Sequence, residues 1–146
     1  MESLTGACSC QAIQYECTVE PTFSWKCHCR DCQRASGSML CPVMYVPKQA
    51  LKITGKAKYY KVKADSGNAV NRGFCSDCGC PVFIDAELVP DLMGLWAASL
   101  DNPNRFSAQV EVWTSSAHSW LCLESDLENF MYAPTSEQIS KILSSV

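Results

Sequence analysis

Polar and apolar residues alternate over 11–19, where Ile13, Tyr15, Cys17 and Val19 would share one face, which is the period-2 pattern of a half-buried strand. Cys17 then reads as a core thiol. Further short runs rich in β-branched and aromatic residues predict strands over 22–26, 39–46, 51–54, 57–63, 69–74, 81–84, 93–98 and 108–114. Turn signals punctuate them: Thr54-Gly55-Lys56, Asp65-Ser66-Gly67-Asn68 and Asp101-Asn102-Pro103-Asn104. A short helical turn is expected from Cys32 through Arg34 and Ala35 to Gly37. One longer helix closes the chain over 135–146: Thr135 can cap it with Gln138 three residues on, and Ile139, Ile142, Leu143 and Val146 form its apolar stripe. Nothing repeats at a fixed period and no linker-like run divides the chain. The expected class is mostly β, a single domain of short antiparallel strands over 1–134 with the helix of 135–146 packed on it.

A length of 146 residues, 47% of them apolar, suits one domain with a real core. The net charge of -3, the lack of a membrane-length apolar run and the lack of a signal-peptide pattern suggest a soluble, cytoplasmic protein. No general affinity for nucleic acid or for membranes is expected. The stretch Lys56-Ala57-Lys58-Tyr59-Tyr60-Lys61-Val62-Lys63 does interleave bases with aromatics, but it also reads as an edge strand guarded by lysines. The acidic balance favours the edge strand, because nonspecific nucleic-acid affinity is mostly phosphate neutralisation.

Eleven cysteines change the picture. Eight fall in three tight groups, Cys8-Ser9-Cys10, Cys27-His28-Cys29-Arg30-Asp31-Cys32 and Cys75-Ser76-Asp77-Cys78-Gly79-Cys80. With no secretion signal in view, such spacings indicate metal rather than a disulfide framework, since Cys-x-x-Cys turns two thiolates toward one ion. A closed structural zinc site takes four protein ligands and a catalytic one takes three. Cys27, Cys29 and Cys32 can wrap one ion within six residues, while Cys8, Cys10, Cys75 and Cys78 together make a closed site that cross-links distant parts of the chain. Cys80 reads first as a buried thiol, with ligand or resolving thiol as alternatives.

The combination Gly6-Ala7-Cys8-Ser9-Cys10, Cys27-His28-Cys29-Arg30-Asp31-Cys32 running on to Gly37, Arg72-Gly73-Phe74-Cys75-Ser76-Asp77-Cys78-Gly79 and Leu100-Asp101-Asn102-Pro103 resembles the glutathione-dependent formaldehyde-activating enzyme and centromere protein V family. The resemblance spans roughly residues 4–134. It implies a zinc-stabilised β fold of the kind also seen in a guanine-nucleotide exchange factor-like protein, with two zinc ions per chain. The structural zinc would lie on Cys8, Cys10, Cys75 and Cys78, and the catalytic zinc on Cys27, Cys29 and Cys32. It further implies a carbon–sulfur lyase acting on a small sulfur-containing molecule, with glutathione as a candidate co-substrate. Gln11 stands where the family usually places glycine, and Cys80 where a small Thr or Ser is common.

A three-thiolate zinc with an open position can accept a further thiolate, which suits cleavage, formation or rearrangement of a carbon–sulfur bond. Asp101 is a candidate acid or base, against the simpler role of capping its own turn. Arg30 and Arg34 are candidates for a substrate or thiolate contact, against plain solvation. His28, flanked by ligand cysteines, should face away from the ion, and His118 reads as a surface residue. The alternatives to an enzyme are a non-catalytic zinc-stabilised protein-binding module and a metal buffer or redox sensor using spare thiols; the four-plus-three arrangement argues against the last. Oligomeric state is left open.

Overall fold

A computed structural model describes residues 3–124 and 126–144. Among these residues eleven strands, β1 (Leu4–Ala7), β2 (Gln14–Cys17), β3 (Phe23–Cys27), β4 (Cys41–Pro47), β5 (Leu51–Thr54), β6 (Lys58–Lys63), β7 (Ala69–Phe74), β8 (Pro81–Ala86), β9 (Leu92–Trp96), β10 (Val110–Val112) and β11 (Glu128–Phe130), accompany helices α1 (Arg30–Ser36) and α2 (Ser136–Ser144). The mostly β class expected from the sequence is what the chain adopts.

The strands form a three-stranded sheet, β1-β2-β5, and an eight-stranded sheet in the order β11-β10-β3-β4-β9-β8-β7-β6. Pairing is antiparallel except at one end, where β10 runs parallel to both β3 and β11. Central β4 explains how the core divides. Its Cys41, Val43 and Tyr45 join a cluster with Phe23, Trp25, Ile84 and Val112, whereas Met44 and Val46 join one with Leu4, Tyr15, Phe83 and Leu95. A strand covered on both faces needs no polar alternation, and 43–46 is accordingly a continuous apolar run. The first cluster contains Cys27 and Cys32, the second Cys8 and Cys75, so the two cysteine groups lie on opposite faces of the large sheet.

β6 pairs only with β7 and is an edge, with Lys58, Lys61 and Lys63 exposed along it. Helix α2 carries the expected capping box: the Gln138 N–H donates to Thr135 Oγ1 and the Thr135 N–H to Gln138 Oε1. Ile139 and Ile142 are buried against the first cluster, and Leu143 is exposed; Val146 lies outside the described residues. Val19 is exposed because β2 ends at Cys17, which is fully buried. Helix α1 begins two residues earlier than expected, so that Cys32 sits inside its first turn. Its cap is Cys29, whose Sγ accepts the Cys32 N–H at 3.3 Å, an N-cap residue that the usual Ser, Thr, Asp and Asn signals do not include.

Candidate metal centres

The Sγ atoms of Cys8, Cys10, Cys75 and Cys78 lie within 4.8 Å of one another. Cys8 to Cys10 and Cys10 to Cys75 are both 3.6 Å, near the edge of about 3.8 Å for a sulfur tetrahedron around an ion with 2.3 Å bonds. All eleven cysteines are free thiols, and 3.6 Å is far beyond a disulfide bond. An all-sulfur donor set at this spacing fits zinc. Two tight turns create it. In the first, Gln11 adopts φ 61, and its N–H donates to the Cys8 carbonyl; the position given to glycine in the family is thus a left-handed one. In the second, Gly79 at φ 74 donates its N–H to the Cys75 carbonyl. Gly6 is required for a different reason: a Cβ there would collide with the Tyr15 hydroxyl and the Ser99 carbonyl.

Cys8 and Cys75 are buried, while Cys10 and Cys78 are exposed. The N–H groups of Cys80 and Cys10 hold the Cys78 thiol down at about 6. At Cys10 the Ala12 N–H favours the thiolate, but the Cys8 side chain, desolvation and the other sulfurs outweigh it and push the thiol up to about 12. Cys80, half-buried, stands outside the group and its Sγ faces the Pro81 carbonyl at 3.6 Å.

Cys27, Cys29 and Cys32 form the second group, with their sulfurs again within 4.8 Å. Cys27 ends β3, Cys29 caps α1 and Cys32 lies in its first turn, so one strand-to-helix corner aims all three inward. Hydrogen bonds from the Cys27, Cys29 and Cys41 side chains, with the Arg72 charge, hold Cys32 well below the ordinary thiol range. Cys27 is pushed well above it by its bonds to Cys29 and Cys32 and by burial. Negative charge therefore gathers on Cys32, 3.4 Å from Arg72 Nη2. Fully buried Cys41, opposite Cys27 on β4, touches Cys32 but is not one of the three converging sulfurs.

These three sulfurs open onto a cavity of about 80 Å³ walled by Trp25, Tyr45, Val70, Leu88 and Trp113. Arg72 is the only charged residue lining it among the described residues; no Asp or Glu does. The sequence alone does not single out Arg72 for this role. A signal existed, since Val70 and Arg72 alternate with Asn71 and Gly73 on β7, but nothing in that pattern tells which face carries a site. Trp113 takes φ 60, a conformation that side chains rarely adopt, just where β10 ends and the wall begins.

The other candidates lie elsewhere. Asp101 is exposed, its N–H donates to the Thr5 carbonyl, and it lines a surface hollow with Gly6 and Tyr15 rather than the three-sulfur cavity. It follows β1's side of the molecule because Leu100 bridges Gly6. Arg30 and Arg34 are exposed on α1 and line a separate hollow with His118 and Trp120, not the cavity. Helix α1 points Cys32 inward, and that turns these arginines outward. His28 does face away from the sulfurs: it is fully buried, and its Nε2 is 2.8 Å from Glu111 Oε2. His118 stacks on the exposed Trp120 with ring centroids 4.9 Å apart.

The fold and the two sulfur groups define a cysteine-rich β protein with two candidate metal centres. Residues 3–116 match the family described as Glutathione-dependent formaldehyde-activating enzyme, and the chain belongs to that family. Two curated relatives, from Phaeosphaeria nodorum and Penicillium rubens, each bear the name "Putative glutathione-dependent formaldehyde-activating enzyme". Each is 31% identical over 78 residues, which cover 52% of this chain and 40% of the relative, so the match spans under half the length of either. In fold, the chain resembles a crystal structure of a Rhodobacter sphaeroides protein at a TM-score of 0.52 and 21% identity, over 68% of this chain and 92% of that one. Among the described residues no helix is long and apolar enough to cross a membrane.

Proposed function

We propose that the chain is a zinc-dependent enzyme that makes, breaks or rearranges a carbon–sulfur bond on a small sulfur-containing molecule, with glutathione adducts among the candidate substrates. The observation that carries this reading is the convergence of Cys27, Cys29 and Cys32 at the floor of an apolar cavity, a ligand set one short of tetrahedral and facing space. The closed set of Cys8, Cys10, Cys75 and Cys78 on the other face of the sheet is the structural counterpart. A zinc ion on the three sulfurs would supply a position that accepts a substrate thiolate and keeps it deprotonated near neutral pH.

This chain's residues supply the rest. Arg72 offsets charge at Cys32, and the walls of Trp25, Tyr45 and Trp113 exclude water from the reacting atoms. For a hemithioacetal, the carbon–sulfur bond breaks with its electron pair going to sulfur, while the hydroxyl loses its proton and becomes the carbonyl; the reverse direction restores both. Among the described residues no carboxylate lines the cavity, and in this reading the hydroxyl proton leaves to solvent through the cavity mouth.

The test is magnetisation-exchange NMR of hemithioacetals formed from formaldehyde and a panel of thiols, glutathione included, with zinc-loaded protein. Faster exchange than in buffer, lost in Cys29→Ser, is the expected result. Thiol binding without acceleration for any member of the panel would refute the enzyme reading and favour the non-catalytic binding module.

A further inference from the structure

The three-sulfur cavity has a chemical character more specific than its sulfurs. At about 80 Å³ it is well below the roughly 300–1,000 Å³ of a pocket that encloses a cofactor-sized ligand. Its walls are mainly aromatic and aliphatic, with Ser66 and Asn68 as uncharged polar exceptions. Into this setting β7 delivers one full charge, Arg72, which is only 9% exposed. The Arg72 guanidinium spends Nη2 on Cys32 Sγ, at 3.4 Å, and leaves Nε and Nη1 buried without any partner. Buried N–H groups of a guanidinium are costly to leave unpaired, and the acceptor that suits them best is an oxyanion. No side-chain carboxylate among the described cavity residues can serve.

We propose that this cavity selects a small mercaptocarboxylate, or a thio-adduct of one, with a short apolar carbon chain, and that Arg72 takes its carboxylate. The assignment rests on the reading that the three-cysteine centre accepts the ligand's sulfur. Arg72 touches one of those cysteines, so a ligand that places its sulfur at the cysteines and its carboxylate on Arg72 needs only a short carbon chain between them. Glutathione is a poorer fit to the enclosed part of the site: its ammonium would find no carboxylate among the described lining side chains, and its two amides would find few uncharged polar partners, Ser66 and Asn68 among them. Selectivity here comes from groups left unpaired by the wrong ligand as much as from contacts with the right one.

The experiment measures binding of 3-mercaptopropionate, 3-mercaptopropionamide, propionate and glutathione to the full chain. Tryptophan fluorescence of zinc-loaded protein reports occupancy, because Trp25 and Trp113 line the cavity, and the thiolate-to-metal absorption of cobalt-substituted protein reports capture of sulfur. Expected is binding of 3-mercaptopropionate about tenfold or more tighter than of its amide, of propionate and of glutathione, from one charge-assisted hydrogen-bonded contact. In Arg72→Gln the acid and the amide should bind within about twofold of each other at unchanged metal content. The wild-type ratio alone decides the matter if that variant fails to fold. Amide bound as tightly as acid, or glutathione bound more tightly than both, overturns the proposal. The two readings fail separately: thiols that perturb the cobalt spectrum regardless of their carboxylate refute only the Arg72 assignment. Propionate binding as well as 3-mercaptopropionate, with no cobalt perturbation, refutes sulfur capture and with it the mercaptan part of the proposal.

Discussion

Replacing Cys75 by serine should unfold much more than replacing Cys29, though each removes one sulfur from one cluster. Cys10 and Cys75 are 65 residues apart in sequence and 3.6 Å apart at their sulfurs. An ion joining them closes that loop as a disulfide would, which by chain entropy is worth about 4 kcal/mol. For a domain stable by about 5–15 kcal/mol this is a large share. At about 2–4 °C per kcal/mol, Cys75→Ser should lower Tm by about 8–16 °C in zinc-replete buffer. Cys29 closes only the local corner between β3 and α1, which β3 to β4 pairing and the helix already fix. Its second structural role is to cap α1, and a serine hydroxyl is a preferred N-cap. Cys29→Ser should therefore cost about 1 kcal/mol or less, a Tm change under about 4 °C, while abolishing any turnover. Thermal unfolding followed by far-ultraviolet circular dichroism, with metal content measured on the same samples, makes the comparison. Equal losses of Tm in the two variants would refute the division between a cross-linking centre and a working one.

Two other outcomes follow from the four-sulfur centre. Gln11→Gly relieves a side chain held at φ 61 and should stabilise the domain by about 0.5–1 kcal/mol, the left-handed penalty less glycine's entropy, seen as a rise of about 1–4 °C in Tm; a fall would show that the Gln11 side chain matters more than its backbone. Cys10, with its thiol pushed up to about 12, must release a proton when a metal binds at neutral pH, whereas Cys78, at about 6, is already a thiolate above pH 7. Protons therefore compete with the metal, and zinc affinity measured by chelator competition should rise about tenfold or more per unit between pH 6.5 and 8.5; an affinity independent of pH would contradict it.

What was legible in the sequence was what local chemistry encodes. The alternation at Ile13, Tyr15 and Cys17, the capping box at Thr135 and Gln138, and the spacing of the knuckles each specify a local geometry, and the sulfurs converge as their spacing requires. The strands β1 and β11 were not legible: Leu4–Ala7 contains a glycine kept for close approach to Tyr15, and Glu128–Phe130 is short, polar and held by parallel pairing to β10. The cavity was hidden for a different reason. Its wall joins Trp25, Tyr45, Val70, Leu88 and Trp113 from five separate segments, and no local pattern states that they meet. Nearness in sequence pointed to Arg30 and Arg34, but helical geometry turns them outward and a strand forty residues later brings Arg72 to Cys32. Asp101 likewise follows β1 to the other side of the molecule.

Two all-cysteine centres in one chain, one closed and one open, can be counted in a native mass spectrum of protein purified without chelator, recorded with and without a small thiol. The expected spectrum shows two zinc ions per chain, one of them lost in Cys29→Ser, and a noncovalent thiol adduct that requires the second ion. A single zinc in the wild type, or a thiol adduct that persists in Cys29→Ser, would contradict it.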